Sequence, residues 1–186
     1  MVIDMFPEMK KELENFIKDH NRQVNIIFMD PKNLIFEEQV KMNCFYCGRY
    51  GQNWRCPPNL PDIDYKKMFS EFAEGVFIYR QYHVSDIRRY EQIRSESSVE
   101  IHRILLDIEK WLWEHNFPTA LSFGAGACKL CKDGCGKDKC NNPYLSRSPL
   151  EATGVNVIAS VKQYGVDISF PTATDFKRIG LVVWQA

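Results

Sequence analysis

Four cysteines crowd one stretch of the chain, Ala127 to Pro143: Cys128, Cys131, Cys135 and Cys140, spaced C-x2-C-x3-C-x4-C. Thiols this close along a chain make poor disulfide pairs, because a disulfide needs separated Cα atoms and facing side chains. A single metal centre satisfies all four at once. The other three cysteines, Cys44, Cys47 and Cys56, form a second group about seventy residues earlier, and no cysteine lies outside the two groups. Seven is an odd number, so complete disulfide pairing within one chain is impossible. Thiolates are soft ligands that select zinc, copper(I) or iron–sulfur clusters. A cubane cluster is several ångströms wide, and short, tightly clustered cysteine runs are how ferredoxins surround one. Zinc more often takes two C-x2-C pairs. Cys44/Cys47 with Cys128/Cys131 would form such a pair of knuckles, but would strand Cys56, Cys135 and Cys140. The spacing therefore points to one or two iron–sulfur clusters of the [4Fe-4S] kind, with zinc as the alternative.

The flanking residues suit a charged centre. Gly124, Gly126, Gly134 and Gly136 let backbone N–H groups approach sulfur, which tunes a cluster's potential. Lys129, Lys132, Lys137 and Lys139 outnumber Asp133 and Asp138. They can offset thiolate charge or meet an acidic redox partner protein. Around the first group, Phe45, Tyr46, Tyr50 and Trp54 are placed to shield a cluster from water. The C-x3-C-x2-C spacing of radical S-adenosylmethionine enzymes is absent. Two all-cysteine sites would need eight thiols. The first group therefore takes a non-cysteine ligand, an open iron or a bridge from another chain, or holds no centre of its own. None of His20, His83, His102 and His115 is paired as in H-x-x-x-H. His83, at a strand end, is the best non-cysteine ligand among them. Gly124-Ala125-Gly126 lacks the G-K-[ST] of a phosphate loop. Three functions follow: electron transfer through [4Fe-4S] centres, catalysis at the open iron of a three-cysteine cluster, or a zinc-stabilised interaction module.

The elements that must position these loops can be read from periodicity. Residues 5–20 carry apolar side chains three or four apart and predict an amphipathic helix. Val24–Met29 predicts a strand and Leu34–Phe36 a short extended piece. The stretch from Cys44 to Pro58, rich in Gly, Asn and Pro, predicts a loop. Asp62–Ala73 predicts a helix broken by Gly75, and Val76–Tyr82 a strand. Ser85 is placed to cap a long helix ending near Asn116, with Ile101, Ile104, Leu105, Ile108, Trp111 and Leu112 as one stripe and Ser95–Ser98 as a kink. Thr119–Phe123 predicts a strand running into the main cysteine loop. Ser148-Pro149-Leu150-Glu151 has the form of a capping box and predicts a helix start, with Arg147 and Glu151 placed as a salt bridge or as an anion site. Val155–Tyr164 continues helical, and Ile179–Trp184 predicts a last strand.

The expected fold class is α/β or α+β: a small mixed sheet flanked by helices, residues 1–186 forming a single metal-binding domain. The 186 residues, 45% hydrophobic and 13% aromatic, are enough to bury a core. With 24 basic and 24 acidic side chains the net charge is zero, which argues against a nucleic-acid binder. No apolar run has the length of a membrane span or signal peptide. The expectation is a cytoplasmic protein, where thiols stay reduced and clustered cysteines serve metal or redox chemistry. The oligomeric state is left open, a homodimer included.

Three sets of residues carry a resemblance. The first is C-x2-C followed by Y-G-x-x-W-x-C-P-P (Cys44, Cys47, Tyr50, Gly51, Trp54, Cys56, Pro57, Pro58). The second is G-x-C-x2-C-x3-C (Gly126, Cys128, Cys131, Cys135) with Cys140-x2-Pro143. The third is R-x-P-x-E-A-x-G-[VI]-[ND]-V, from Arg147 to Val157. Together they resemble a cysteine-rich family of predicted metal-binding proteins, a domain of unknown function of anaerobic bacteria and archaea. The resemblance covers nearly the whole chain and implies metal binding. It implies no reaction.

Overall fold

A computed structural model describes residues 6–20, 23–168 and 175–185. The described residues form an α+β fold around a four-stranded antiparallel sheet of β1 (Asn25–Met29), β2 (Glu74–His83), β3 (Leu121–Phe123) and β4 (Asp175–Trp184), in the order β1-β2-β4-β3. Its helices are α1 (Phe6–His20), α2 (Glu38–Phe45), α3 (Tyr65–Ser70), α4 (Tyr90–Glu114) and α5 (Val157–Lys162).

The long pair β2 and β4 is the spine, with Val76 opposite Val182 and Ile78 opposite Gly180. Successive strand side chains face opposite ways. Val76, Ile78, Val182 and Trp184 pack with α1 and α4 on one face, and Phe77, Ile179, Leu181 and Val183 join Phe69, Phe123, Leu150 and Val161 on the other. Both faces are covered, so these strands read as continuous apolar runs rather than alternating ones. The stripe on α4 appears where its spacing puts it, with Ile101, Leu105, Ile108 and Leu112 fully buried. Gly180 lets α4 lie this close: a Cβ there would meet Leu105 Cδ1 at 2.8 Å and Cδ2 at 2.9 Å.

Several expected boundaries shift. Gly75 does not end a helix but lies inside β2, where a Cβ would meet Met29 Sδ at 2.8 Å. The helix expected over 62–73 is only α3. Asp64 caps it through the Lys67 N–H at 2.9 Å, and Ala73 instead donates its N–H to Trp184 O at 3.1 Å, joining the sheet. Ser85 does not cap α4. Asp86 caps a 3-10 turn at Ile87–Arg89, accepting from the Arg88 N–H at 3.0 Å, and α4 follows directly. Ser95–Ser98 does not kink α4, since Ser97 Oγ turns back to Arg94 O at 3.0 Å and the helix runs through. In the first cysteine group, Cys44 belongs not to a loop but to the last turn of α2, a helix with no buried residue and so no apolar stripe to announce it.

The capping box does not form. Leu150–Thr153 is one 3-10 turn without a side-chain cap, ending at Gly154 with φ 92°. Its entry is claimed by the strand-like bridge to Gly124, whose N–H donates to Ser148 O and whose carbonyl accepts from the Leu150 N–H, both at 2.9 Å. The next helix, α5, begins instead at Asn156, whose side chain accepts from the Ala159 N–H at 3.0 Å.

Candidate metal centre

The main cysteine loop leaves the end of β3 and returns to the sheet at the Gly124–Pro149 bridge, so both its stems are held by backbone pairing. Cys128, Cys131, Cys135 and Cys140 are all free thiols, each half-buried. All four line one cavity of about 560 Å³, together with Asn53, Trp54, Arg55, Lys129 and Asn142. Two of the sulfurs have polar neighbours. Asn142 Nδ2 donates to Cys131 Sγ at 3.1 Å, and Ser146 Oγ lies 3.4 Å from Cys140 Sγ. Burial pushes the Cys128 thiol up, the Leu130 N–H works against that, and Cys135, Cys131 and Cys140 push it further. Cys128 thus stands in the field of the other three.

The loop between Cys47 and Cys56 lends Arg49, Gln52, Asn53, Trp54 and Arg55 to the lining of this cavity. Cys44 and Cys56 are half-buried and Cys47 is exposed. Burial, then Glu151, then Cys47 push the Cys44 thiol up to about 11. Burial pushes Cys56 up to about 12, followed by Glu151, Cys44, Cys47 and Cys128. Of the three sulfurs acting on Cys56, two belong to its own group and one, Cys128, to the main loop. Hydrogen bonds clasp the two loops together. Asn53 Nδ2 donates to Cys128 O at 3.0 Å, Trp54 Nε1 to Gly136 O at 2.8 Å, and Arg55 to Ser146 Oγ at 2.6 Å and Pro143 O at 2.8 Å. The proximity of the two groups comes from these three consecutive side chains. Nothing in their types announced it, because each partner lies 75 or more residues away.

Not every expected participant has its expected role. Trp54 lines the main cavity, whereas Phe45, Tyr46 and Tyr50, expected to shield the first group, are not withdrawn from solvent. They are exposed, Tyr46 at 73%, and pack edge-on against one another. Lys129 and Lys132 line the cavity, whereas Lys137 and Lys139 face solvent. Lys129 is held below its ordinary value, first by burial and then by Arg94, Arg49 and Arg178, against the opposing effect of Glu91. His83 bonds Asp175 at 3.0 Å and is exposed. His20, His102 and His115 bond the carbonyls of Phe16, Leu145 and Trp111. Arg147 pairs not with Glu151 but with Glu109 on α4, and also donates to Tyr144 O and Ser146 O. Glu151 instead accepts the Gly126 N–H at 3.0 Å, two residues before Cys128.

Among the described residues no three His, Cys, Asp or Glu side chains converge tightly enough to grip a single ion. The four thiols of the main loop instead line one cavity wider than a single ion. Four half-buried free thiols, a cavity larger than one ion and N–H or O–H donors beside sulfur are a donor set that fits a cluster.

The family model of the predicted metal-binding proteins (DUF2284) matches residues 27–184. The chain belongs to that family. Its match takes in all seven cysteines and all of the sheet but Asn25 and Ile26 of β1. No curated protein and no solved structure matches this member of the predicted metal-binding proteins. Among its described residues no helix is long and apolar enough to cross a membrane.

Proposed function

We propose that this metal-binding protein carries a [4Fe-4S] cluster on Cys128, Cys131, Cys135 and Cys140 and serves in electron transfer. The observation that carries the proposal is that these four thiols line one cavity of about 560 Å³. A cluster bound there supplies reversible one-electron chemistry. The chain's own residues do the rest. Asn142 donates to Cys131 Sγ and Ser146 stands against Cys140 Sγ, lowering the electron density on sulfur and raising the potential. Lys129, Lys132, Arg49 and Arg55 line the same cavity and offset thiolate charge. The clasp of Asn53, Trp54 and Arg55 holds the cavity wall against the first loop. The exposed lysines Lys132, Lys137 and Lys139 suit an acidic redox partner protein. Free thiols in this number suit the reducing cytoplasm.

The test is anaerobic purification and reconstitution, with iron, sulfide and zinc analysis and a visible spectrum. The expected result is iron and acid-labile sulfide in equal amounts, about four of each per centre, with a broad absorption bleached by dithionite. Cys131→Ala should lose that absorption. Stoichiometric zinc without sulfide would overturn the reading in favour of a zinc-stabilised module.

A further inference from the structure

The cavity lined by the main thiols carries charge of one sign only. Four cations, Arg49, Arg55, Lys129 and Lys132, stand in its lining, and among the described residues no aspartate or glutamate does. The whole chain has 24 basic and 24 acidic side chains, so the imbalance is local. Arg55 is spent on Ser146 Oγ at 2.6 Å and Pro143 O at 2.8 Å. The side chains of Arg49, Lys129 and Lys132 make no hydrogen bond or ion pair among the described residues. Glu91 acts on Lys129 only at a distance and pairs with Arg94 at 3.2 Å.

A metal centre on the thiols does not use up this charge. An iron–sulfur core is itself cationic and cancels part of the charge of its thiolates. Space is left as well. The cavity holds about 560 Å³, within the range of small-molecule sites, about 300–1,000 Å³, and a cubane several ångströms wide fills only part of it. Depth separates the two occupants. Asn53 and Ser146 are the buried members of the lining and the four thiols are half-buried, whereas Arg49 and Lys132 are exposed at the open side. Arg49 comes from the first loop, and Lys129 and Lys132 come from the main loop. The bonds from Asn53, Trp54 and Arg55 fix one loop against the other, so binding between them has no loop to order.

We infer that this cavity binds a small anion with two or more negative charges, a phosphate or a polycarboxylate, between Arg49 on one side and Lys129 and Lys132 on the other. The inference deepens the reading above by naming the small molecule that meets the centre. Only its closeness to a cluster rests on that reading. The Arg49 guanidinium offers a planar fork to two oxygens, and the lysines add point charges. A concave site suits a small molecule better than the broad acidic face of a protein.

The test is isothermal titration calorimetry of the anaerobically reconstituted full chain with inorganic phosphate and with succinate, against sodium chloride at matched ionic strength. Each anion should bind saturably at one site per chain, with a Kd of about 1 mM or tighter. Arg49→Gln, Lys129→Gln and Lys132→Gln should each weaken binding by about threefold to tenfold, the span from an exposed to a half-buried charged contact. Arg49→Lys should bind more tightly than Arg49→Gln. Lys110→Gln removes the same charge about 22 Å along α4 from Ser95 at the cavity wall, and should bind as wild type. Absence of saturable heat, or equal weakening by Lys110→Gln, would overturn the site. So would binding of a glutamate oligomer but of neither small anion, which gives the cations to an acidic protein face. Iron analysis of the same samples separates the two readings. Iron-free protein that binds phosphate sinks only the iron–sulfur assignment, and iron-loaded protein that binds no anion sinks only the anion site.

Discussion

Glu109→Gln should destabilise the fold by about 2 kcal/mol and loosen the exit of the main cysteine loop. Glu109 sits on α4 at 13% side-chain exposure and Arg147 follows the loop at 23%. The pair is bidentate, with the Arg147 Nε to Glu109 Oε1 contact at 2.8 Å, and Oε1 also accepts the Ser122 N–H of β3 at 2.5 Å. Glutamine keeps the shape and an acceptor for Ser122 but leaves the Arg147 cation with only two carbonyl partners. Breaking a fully buried pair costs about 3–5 kcal/mol, and an exposed pair is worth about 0.2–1 kcal/mol. At this intermediate exposure the expected loss lies between them, about 1.5–3 kcal/mol. With an unfolding entropy of about 2.1 cal/mol/K per residue, a chain of 186 residues unfolds with about 0.39 kcal/mol/K. A loss of about 2 kcal/mol then lowers Tm by about 5 °C. Calorimetry on wild type, Glu109→Gln, Arg147→Met and the double variant measures it. The double variant should be less destabilised than the two singles added, since it strands no charge. A Glu109→Gln protein melting within about 1 °C of wild type, or strictly additive losses, would refute the assignment of this pair as the clamp.

Two further outcomes follow. His102 on α4 donates from Nε2 to Leu145 O at 2.7 Å, and its pKa is held low by burial first and by Arg147, against the raising effects of that hydrogen bond and Glu109. The unfolded chain then binds the proton more readily. Stability should be full above about pH 6.5, the unfolded value, and fall as the pH drops through it. Urea unfolding between neutral and acid pH should show this loss, smaller in His102→Gln, and an identical slope in both proteins would contradict it. Gly180→Ala should cost about 1–3 kcal/mol by overpacking, because the added methyl meets the fully buried Leu105 and α4 cannot retreat from the sheet. Unchanged Tm in that variant would refute the close approach of α4 to β4.

Much of the frame was legible without coordinates. Strands at Val24–Met29, Val76–Tyr82 and Ile179–Trp184 and the stripe of α4 rest on local patterns, since burial repeats with the period of the element. The grouping of seven cysteines into four and three, and the soft-metal chemistry it implies, is a matter of residue type and spacing alone. Element ends were less legible. The capping box at Ser148–Glu151 is a sound local signal, and it lost to the bridge between Gly124 and Pro149, two segments far apart in sequence. Helix α2 has no apolar face, so periodicity could not find it. Tertiary structure alone decided that the two cysteine-bearing loops adjoin, that Asn53, Trp54 and Arg55 clasp the main loop, and that Glu151 turns from a helix cap to the Gly126 N–H. The physical reason is common to all three. A polar side chain takes whichever donor or acceptor the folded backbone brings near it, and here those partners arrive from 25 to 91 residues away.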